Sequence, residues 1–156
     1  MAGQIEILGF PVDLAGRDAV ERRVGCWLDD PAGGLRHVVT VNPEYLMAAR
    51  RSRKFAHVLR AADLALADGV GLLVAARLLR RPVPPRITGN DLVEMVAGLA
   101  HPNKRVFLLG AMPGVAHEAA AVLRERYPEA RIVGAYPGDP SPAGWPSIEA
   151  RLAESR

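Results

Sequence analysis

Short apolar runs alternate with helical stretches along this chain, and that alternation restricts the fold more than any other feature. Residues 4–10 read as a first strand, ended by Pro11. Residues 37–41, 63–67, 104–109 and 131–135 read as further strands, with 104–109 the clearest. Apolar residues at helical spacing predict helices over 17–29, over 43–59 with a break near Ser52, and over 70–79, 91–99 and 115–127. Strands joined through helices run parallel, because each connection must cross over the sheet. The expected class is α/β, a Rossmann-like and mostly parallel sheet with helices on both faces. The rhythm stops after Gly138, where Pro140, Pro142 and Pro146 crowd a loop before a short helix over 148–153. The expected division is a Rossmann-like domain over 1–138, then a Pro-rich loop and C-terminal helix over 139–156.

Length and charge exclude several classes. A chain of 156 residues suits one core and is short for two domains. Twenty Lys and Arg against 17 Asp and Glu leave a net charge of only +3. Arg50, Arg51, Arg53 and Lys54 form a basic cluster, but no aromatic residues interleave with it, so nucleic acid is not an expected partner. The cluster reads as a solvated helix face or, less simply, a contact for anionic lipid headgroups. Cys26 is the single cysteine, which excludes an internal disulfide, and its surroundings suggest a small buried apolar residue. The N-terminus lacks the basic and apolar regions of a signal peptide, and no run of about 18 apolar residues occurs. A cytoplasmic protein is expected. His37, His57, His101 and His117 are scattered and no Asp-x-Asp triplet occurs, so neither a metal site nor a cofactor is expected.

Three motifs carry the chemistry: Thr40-Val41-Asn42-Pro43-Glu44, Ala67-Asp68-Gly69-Val70-Gly71 and Arg86-Ile87-Thr88-Gly89-Asn90-Asp91. Ligands of open α/β sheets sit beyond the C-terminal ends of strands. Thr40, Asn42, Asp68 and the turn at Gly110 all fall at such ends, so several strands are expected to converge on one edge. Asp68 follows an apolar strand and precedes Gly69-x-Gly71; there a carboxylate can accept a proton from a substrate hydroxyl, or can cap the next helix. Taken locally, the cap is the commoner outcome. Asn42 before Pro43-Glu44 is explained by a helix start, and Thr40 by β-branched strand filling. Arg86, beside Thr88-Gly89, can hold a phosphate bidentately or stand solvated. Asp91 reads as a helix cap. The segment Gly110-Ala111-Met112-Pro113-Gly114 turns a strand into a helix whose N-terminus can meet a phosphate. Gly69-Val70-Gly71 lacks the third glycine of a dinucleotide fingerprint, which disfavours a dehydrogenase.

Taken in order and spacing, these motifs resemble the bacterial WecG/TagA/CpsF glycosyltransferase family. The similarity continues through Phe107-Leu108-Leu109-Gly110 with Pro113-Gly114, Tyr127-Pro128 and Ile132-Val133-Gly134, and covers residues from about Ile5 to Gly138. The resemblance implies an inverting, metal-independent transfer of N-acetylmannosamine or a related sugar from a UDP-sugar to a lipid-linked saccharide. The work would occur at the cytoplasmic face of the membrane, in a chain that contacts the membrane peripherally and forms homo-oligomers. It implies Asp68 as the general base. It also implies Thr40, Asn42 and Arg86 as substrate-site residues, to which the motifs themselves add the Thr88 hydroxyl and Gly69, Gly71 and Gly110, where a ligand can approach the backbone. Family members usually continue with further strands, a Pro-Lys-Gln-Glu-like motif and a C-terminal segment. Two readings therefore stand: an active transferase, or a shortened, inactive nucleotide-sugar-binding or interaction module.

Overall fold

A hairpin opens the chain where one strand was expected. In a computed structural model that describes residues 3–100 and 103–155, β1 (Gln4–Ile7) and β2 (Phe10–Asp13) pair antiparallel, with Ile7 opposite Phe10. Leu8 and Gly9 make the turn with φ of 51° and 83°. Two successive positive φ angles give the turn whose twist matches paired strands. Pro11 does not end the strand; it sits within β2 opposite Glu6. Ile5, Ile7, Phe10 and Val12 all reach the core, so burial on both arms overrides the local signal of Pro11. Arg60 holds the turn from outside: its Nε and Nη2 donate to the Gly9 carbonyl at 3.3 Å, and its guanidinium lies 4.6 Å from the Phe10 ring centre.

The later elements follow the expected order. They are α1 (Arg17–Asp29), β3 (Val38–Val41), α2 (Pro43–Arg51), α3 (Arg53–Arg60), β4 (Leu64–Ala67) and α4 (Val70–Leu78). Then come α5 (Gly89–Leu99), β5 (Arg105–Leu109), α6 (Val115–Arg126), β6 (Arg131–Tyr136) and α7 (Trp145–Glu154). The chain is α/β as the alternation required, and compatible with a Rossmann-like fold: β3 pairs parallel with β4, and β5 with β6. It divides into two compact units, Met1–Val93 and Glu94–Arg156, with the boundary inside α5.

In the first unit the core lies between the hairpin, β3–β4 and helices α2, α3 and α4; Val41, Leu46, Leu59, Ala67 and Leu72 are almost wholly buried there. All four residues of β4 are buried. The long helix expected over 43–59 is interrupted at Ser52, as its polarity suggested; Ser52 Oγ accepts from Phe55 N at 3.2 Å and starts α3. Cys26 corrects the sequence reading. It is exposed, because Val20 and Val24 set the buried side of α1 and residue 26 falls on the other side. In the second unit, Ala97, Ala100, Ala120 and Leu123 pack with Ala130 and Ile132 against the β5–β6 pair. An Arg126–Glu94 ion pair stands at the surface of that unit.

Two polar arrangements hold the first unit together. Asp13 is the one buried polar residue among those described, at 4% exposure. Its Oδ2 accepts from the Ala65 amide at 2.7 Å and its Oδ1 from Gln4 Nε2 at 3.2 Å, which ties the hairpin to β4. Thr88 and Asp91 start α5 reciprocally. The Asp91 carboxylate accepts from Thr88 N at 2.8 Å and Thr88 Oγ1 at 2.6 Å, while Asp91 N donates to Thr88 Oγ1 at 3.2 Å. This is a capping box, with the helix beginning two residues earlier than expected.

Asp13→Ala leaves the Ala65 amide buried without an acceptor and is expected to destabilise the chain by about 1–3 kcal/mol in urea unfolding. Asp13→Asn, which retains one carboxamide oxygen, should lose less. The hydroxyl and amide of Thr88, and then Arg17, hold the Asp91 carboxyl below the usual carboxylate range. A depressed folded pKa stabilises above the unfolded value, about 3.9, and that contribution fades as pH falls through the folded one. Thr88→Val removes the hydroxyl of the capping box, and loss of a cap is expected to cost about 1 kcal/mol at neutral pH. The gap in melting temperature from wild type should narrow on acidification below about pH 4.

Candidate functional site

The end of β4 carries the candidate site, and backbone pairing builds it. Val41 lies opposite Ala67 in the β3–β4 register, and Asp68 N donates to the Val41 carbonyl at 2.7 Å. On the other side of β4, Arg86 forms a parallel bridge with Ala67, and Ile87 N donates to the Ala67 carbonyl at 3.0 Å. Three stretches distant in sequence are thus locked side by side at Asp68. They are the three motifs.

Asp68 does not cap α4. Gly69 occupies the cap position with φ 92°, and no side chain caps that helix. A positive φ suits glycine, which has no Cβ to crowd the backbone there. The Asp68 carboxylate, half-buried, instead accepts a long 3.4 Å bond from the Gly89 amide. It thus retains acceptor capacity for a substrate hydroxyl. The capping outcome that local pattern favoured is not realised.

Around it stand the other candidates of the first unit. Thr40 is half-buried in β3, and its Oγ1 lies 3.6 Å from where a Cβ on Gly89 would stand. Asn42 does cap α2, its Oδ1 accepting from Tyr45 N at 2.8 Å, so its amide nitrogen is the group left for a ligand. A Cβ on Gly71 would meet Pro43 Cγ at 2.7 Å, so α4 can pass α2 this closely only with glycine there. Thr88 is engaged in the α5 capping box. Arg86 is exposed and has no carboxylate partner among the described residues, so its guanidinium is available to an anion. Gly89 was missing from the sequence reading of the site, although its position inside the third motif was the available signal.

Gly110 belongs to the second unit. It follows β5 with φ 112°, donates its amide to the Tyr136 carbonyl at 2.9 Å, and has nothing within 4 Å of where a Cβ would stand. A cavity of about 530 Å³ in the same unit is walled by Phe107, His117, Gly134, Tyr136 and Arg151 and includes none of the residues of the three first-unit motifs. His101 lies outside the described residues. Among the described residues no three His, Cys, Asp or Glu side chains gather as a metal would need.

Comparison with known proteins gives this geometry a family. Two of the similar curated proteins are the N-acetylglucosaminyldiphosphoundecaprenol N-acetyl-beta-D-mannosaminyltransferases of Staphylococcus aureus strains NCTC 8325 / PS 47 and COL. Each is 29% identical over 126 residues, covering 80% of this chain and 50% of the relative. The chain thus spans about half the length of the curated relatives it matches. The glycosyl transferase WecG/TagA/CpsF family matches residues 5–156, nearly the whole sequence, and the chain belongs to that family.

Proposed function

We propose that this chain carries the donor-side chemistry of an inverting glycosyltransferase, moving N-acetylmannosamine or a related sugar from a UDP-sugar to a lipid-linked saccharide. The observation that supports it most is the Asp68 carboxylate, which leaves the α4 cap position to Gly69 and is flanked by Arg86 and the Thr40 strand end. The names of the relatives add an N-acetylglucosaminyl diphospho-lipid acceptor and a transferred N-acetylmannosaminyl group. In this reading the acceptor hydroxyl oxygen attacks the anomeric carbon on the face opposite the departing UDP. Asp68 takes the hydroxyl proton as the new C–O bond forms and the bond from the anomeric carbon to the UDP oxygen breaks, so the configuration inverts. Arg86 meets the negative charge that grows on the leaving diphosphate. Thr40 and the free amide of Asn42 orient the sugar, and Gly69 and Gly71 let it approach the backbone. Thr88 holds the third motif in place through its capping box, and Gly110 supplies a turn before a helix N-terminus.

No Asp-x-Asp triplet is present, so leaving-group charge is assigned to Arg86 and backbone amides, and turnover should withstand a chelator. A lipid-linked acceptor supports work at the inner face of the cell membrane with peripheral contact, and self-association of the chain is part of the same proposal. No helix among the described residues is long and apolar enough to cross a membrane.

UDP release from a UDP-N-acetylmannosamine donor, with a lipid-linked N-acetylglucosamine acceptor, tests this reading. Asp68→Asn preserves shape and removes the base; it should lower the rate by about 10²–10⁴-fold with little change in UDP affinity. An unchanged rate would remove Asp68 from the mechanism. UDP binding without turnover by the wild-type chain would identify it as a nucleotide-sugar-binding module instead. Arg86→Lys keeps the charge but loses the bidentate fork, and is expected to weaken UDP binding several-fold in calorimetry.

A further inference from the structure

Four arginines gather around one cavity where α2 meets α3. The cavity, about 290 Å³, is lined by Arg50, Arg51, Arg53 and Arg60, with Leu8, Phe10, Ala49 and Ala56 as its apolar wall. No acidic residue lines it. All four arginines are exposed, and none has a carboxylate partner among the described residues. Glu6 shares a neighbouring groove with Arg60 without an ion pair to it.

Part of this cluster has an ordinary reason. Arg50 and Arg51 occupy the last turn of α2, where the helix dipole favours cations. Arg53 has no such support. With Lys54 it opens α3, whose first turn holds no acidic residue, and there the dipole disfavours cations. Arg60 is fixed by the fold: its Nε and Nη2 donate to the Gly9 carbonyl at 3.3 Å, and its guanidinium lies over the Phe10 ring. A guanidinium held in place before a ligand arrives loses less freedom on binding. Like charges gathered with no acid among them oppose the compact state, and an anion in the cavity would remove that repulsion.

We propose that this cavity is a binding site for a small oligophosphate, a soluble anion with two or three phosphoryl groups. Guanidinium forks match phosphate oxygens bidentately. Each phosphoryl group carries about −1.5 to −2 charges near neutral pH, so one falls short of four arginines and two or three match them. The volume lies at the small end of ligand sites. Phe10 is buried beneath Arg60 at 2% exposure, so no aromatic face is open to a base, and a nucleotide gains nothing over the bare phosphates. Leu8 is the one apolar lining residue that is exposed, too small a patch for the apolar face that enters a bilayer. The site is separate from Asp68, since α2 starts beside Asn42 and runs nine residues, about 13 Å, before the elbow. The inference does not depend on the transferase reading.

Calorimetric titration of the purified chain with inorganic phosphate, diphosphate and triphosphate tests it, in magnesium-free buffer at about 0.1 M salt. One site per chain is expected, with triphosphate bound about tenfold or more tighter than monophosphate, and less tightly as salt rises. Arg50→Gln/Arg53→Gln alters only exposed, unpaired side chains. It should keep or raise the melting temperature without ligand and weaken triphosphate binding by about tenfold or more. Arg53→Lys keeps the charge without the fork and should lose less. Triphosphate should raise the melting temperature of wild type and leave that of the double variant unmoved. Arg77→Gln/Arg81→Gln removes the same charge elsewhere and should bind as wild type does; an equal loss there would reduce the attraction to net charge and overturn the site. Binding that survives Arg50→Gln/Arg53→Gln but falls on Arg86→Gln would place the anion at the three motifs and overturn it too. So would the absence of saturable binding at millimolar anion, or binding only to phosphatidylglycerol vesicles. UDP binding should be unchanged in the double variant, so failure of this site leaves the transferase reading standing.

Discussion

The bond from the Ala65 amide to the buried Asp13 carboxylate underlies the arrangement of the first unit. A buried carboxylate without donors would be strongly unfavourable, so its presence requires the hairpin and β4 to meet in one register. Gln4 completes the contact from the first arm of the same hairpin. β4 is therefore held by β3 through a parallel ladder and by Asp13 through a side chain. Its four residues are buried, and its next residue is Asp68. Asp68 therefore follows a strand that is fastened on both sides.

Polar groups near that strand end divide into two kinds. Asn42 and the Thr88–Asp91 pair satisfy helix N-termini, which would otherwise present unpaired amides. Their cost is that they have few bonding sites left. Asp68 and Arg86 are the reverse: one makes a single long hydrogen bond and the other no ion pair among the described residues. Capped helices thus give shape, and the charged groups between them keep bonding capacity that the fold does not use. The same contrast appears at the α2–α3 elbow, where Arg60 is held by the Gly9 carbonyl and Arg50, Arg51 and Arg53 have no ion pair among the described residues.

Much of this was legible in the sequence because period and punctuation act locally. Strands at 38–41, 64–67, 105–109 and 131–136 and the helix break at Ser52 follow from apolar spacing and from polar or proline residues at the boundaries. The hairpin was not legible, because Pro11 signals an end that burial of Ile5, Ile7, Phe10 and Val12 overrides. Cys26 was misjudged for a related reason: small residues are commonly buried, but its place on α1 is fixed by Val20 and Val24.

By itself the sequence determined the α/β order of elements, the three motifs and the place of the first two at strand ends, since these depend on neighbouring residues. Tertiary structure alone decided that Asp68 turns to Gly89 rather than capping α4, and that Arg86 lies beside Ala67. It also decided that the arginines of the α2–α3 elbow share one cavity with Leu8 and Phe10. Each of those depends on pairings between residues far apart in the chain, which no local pattern encodes.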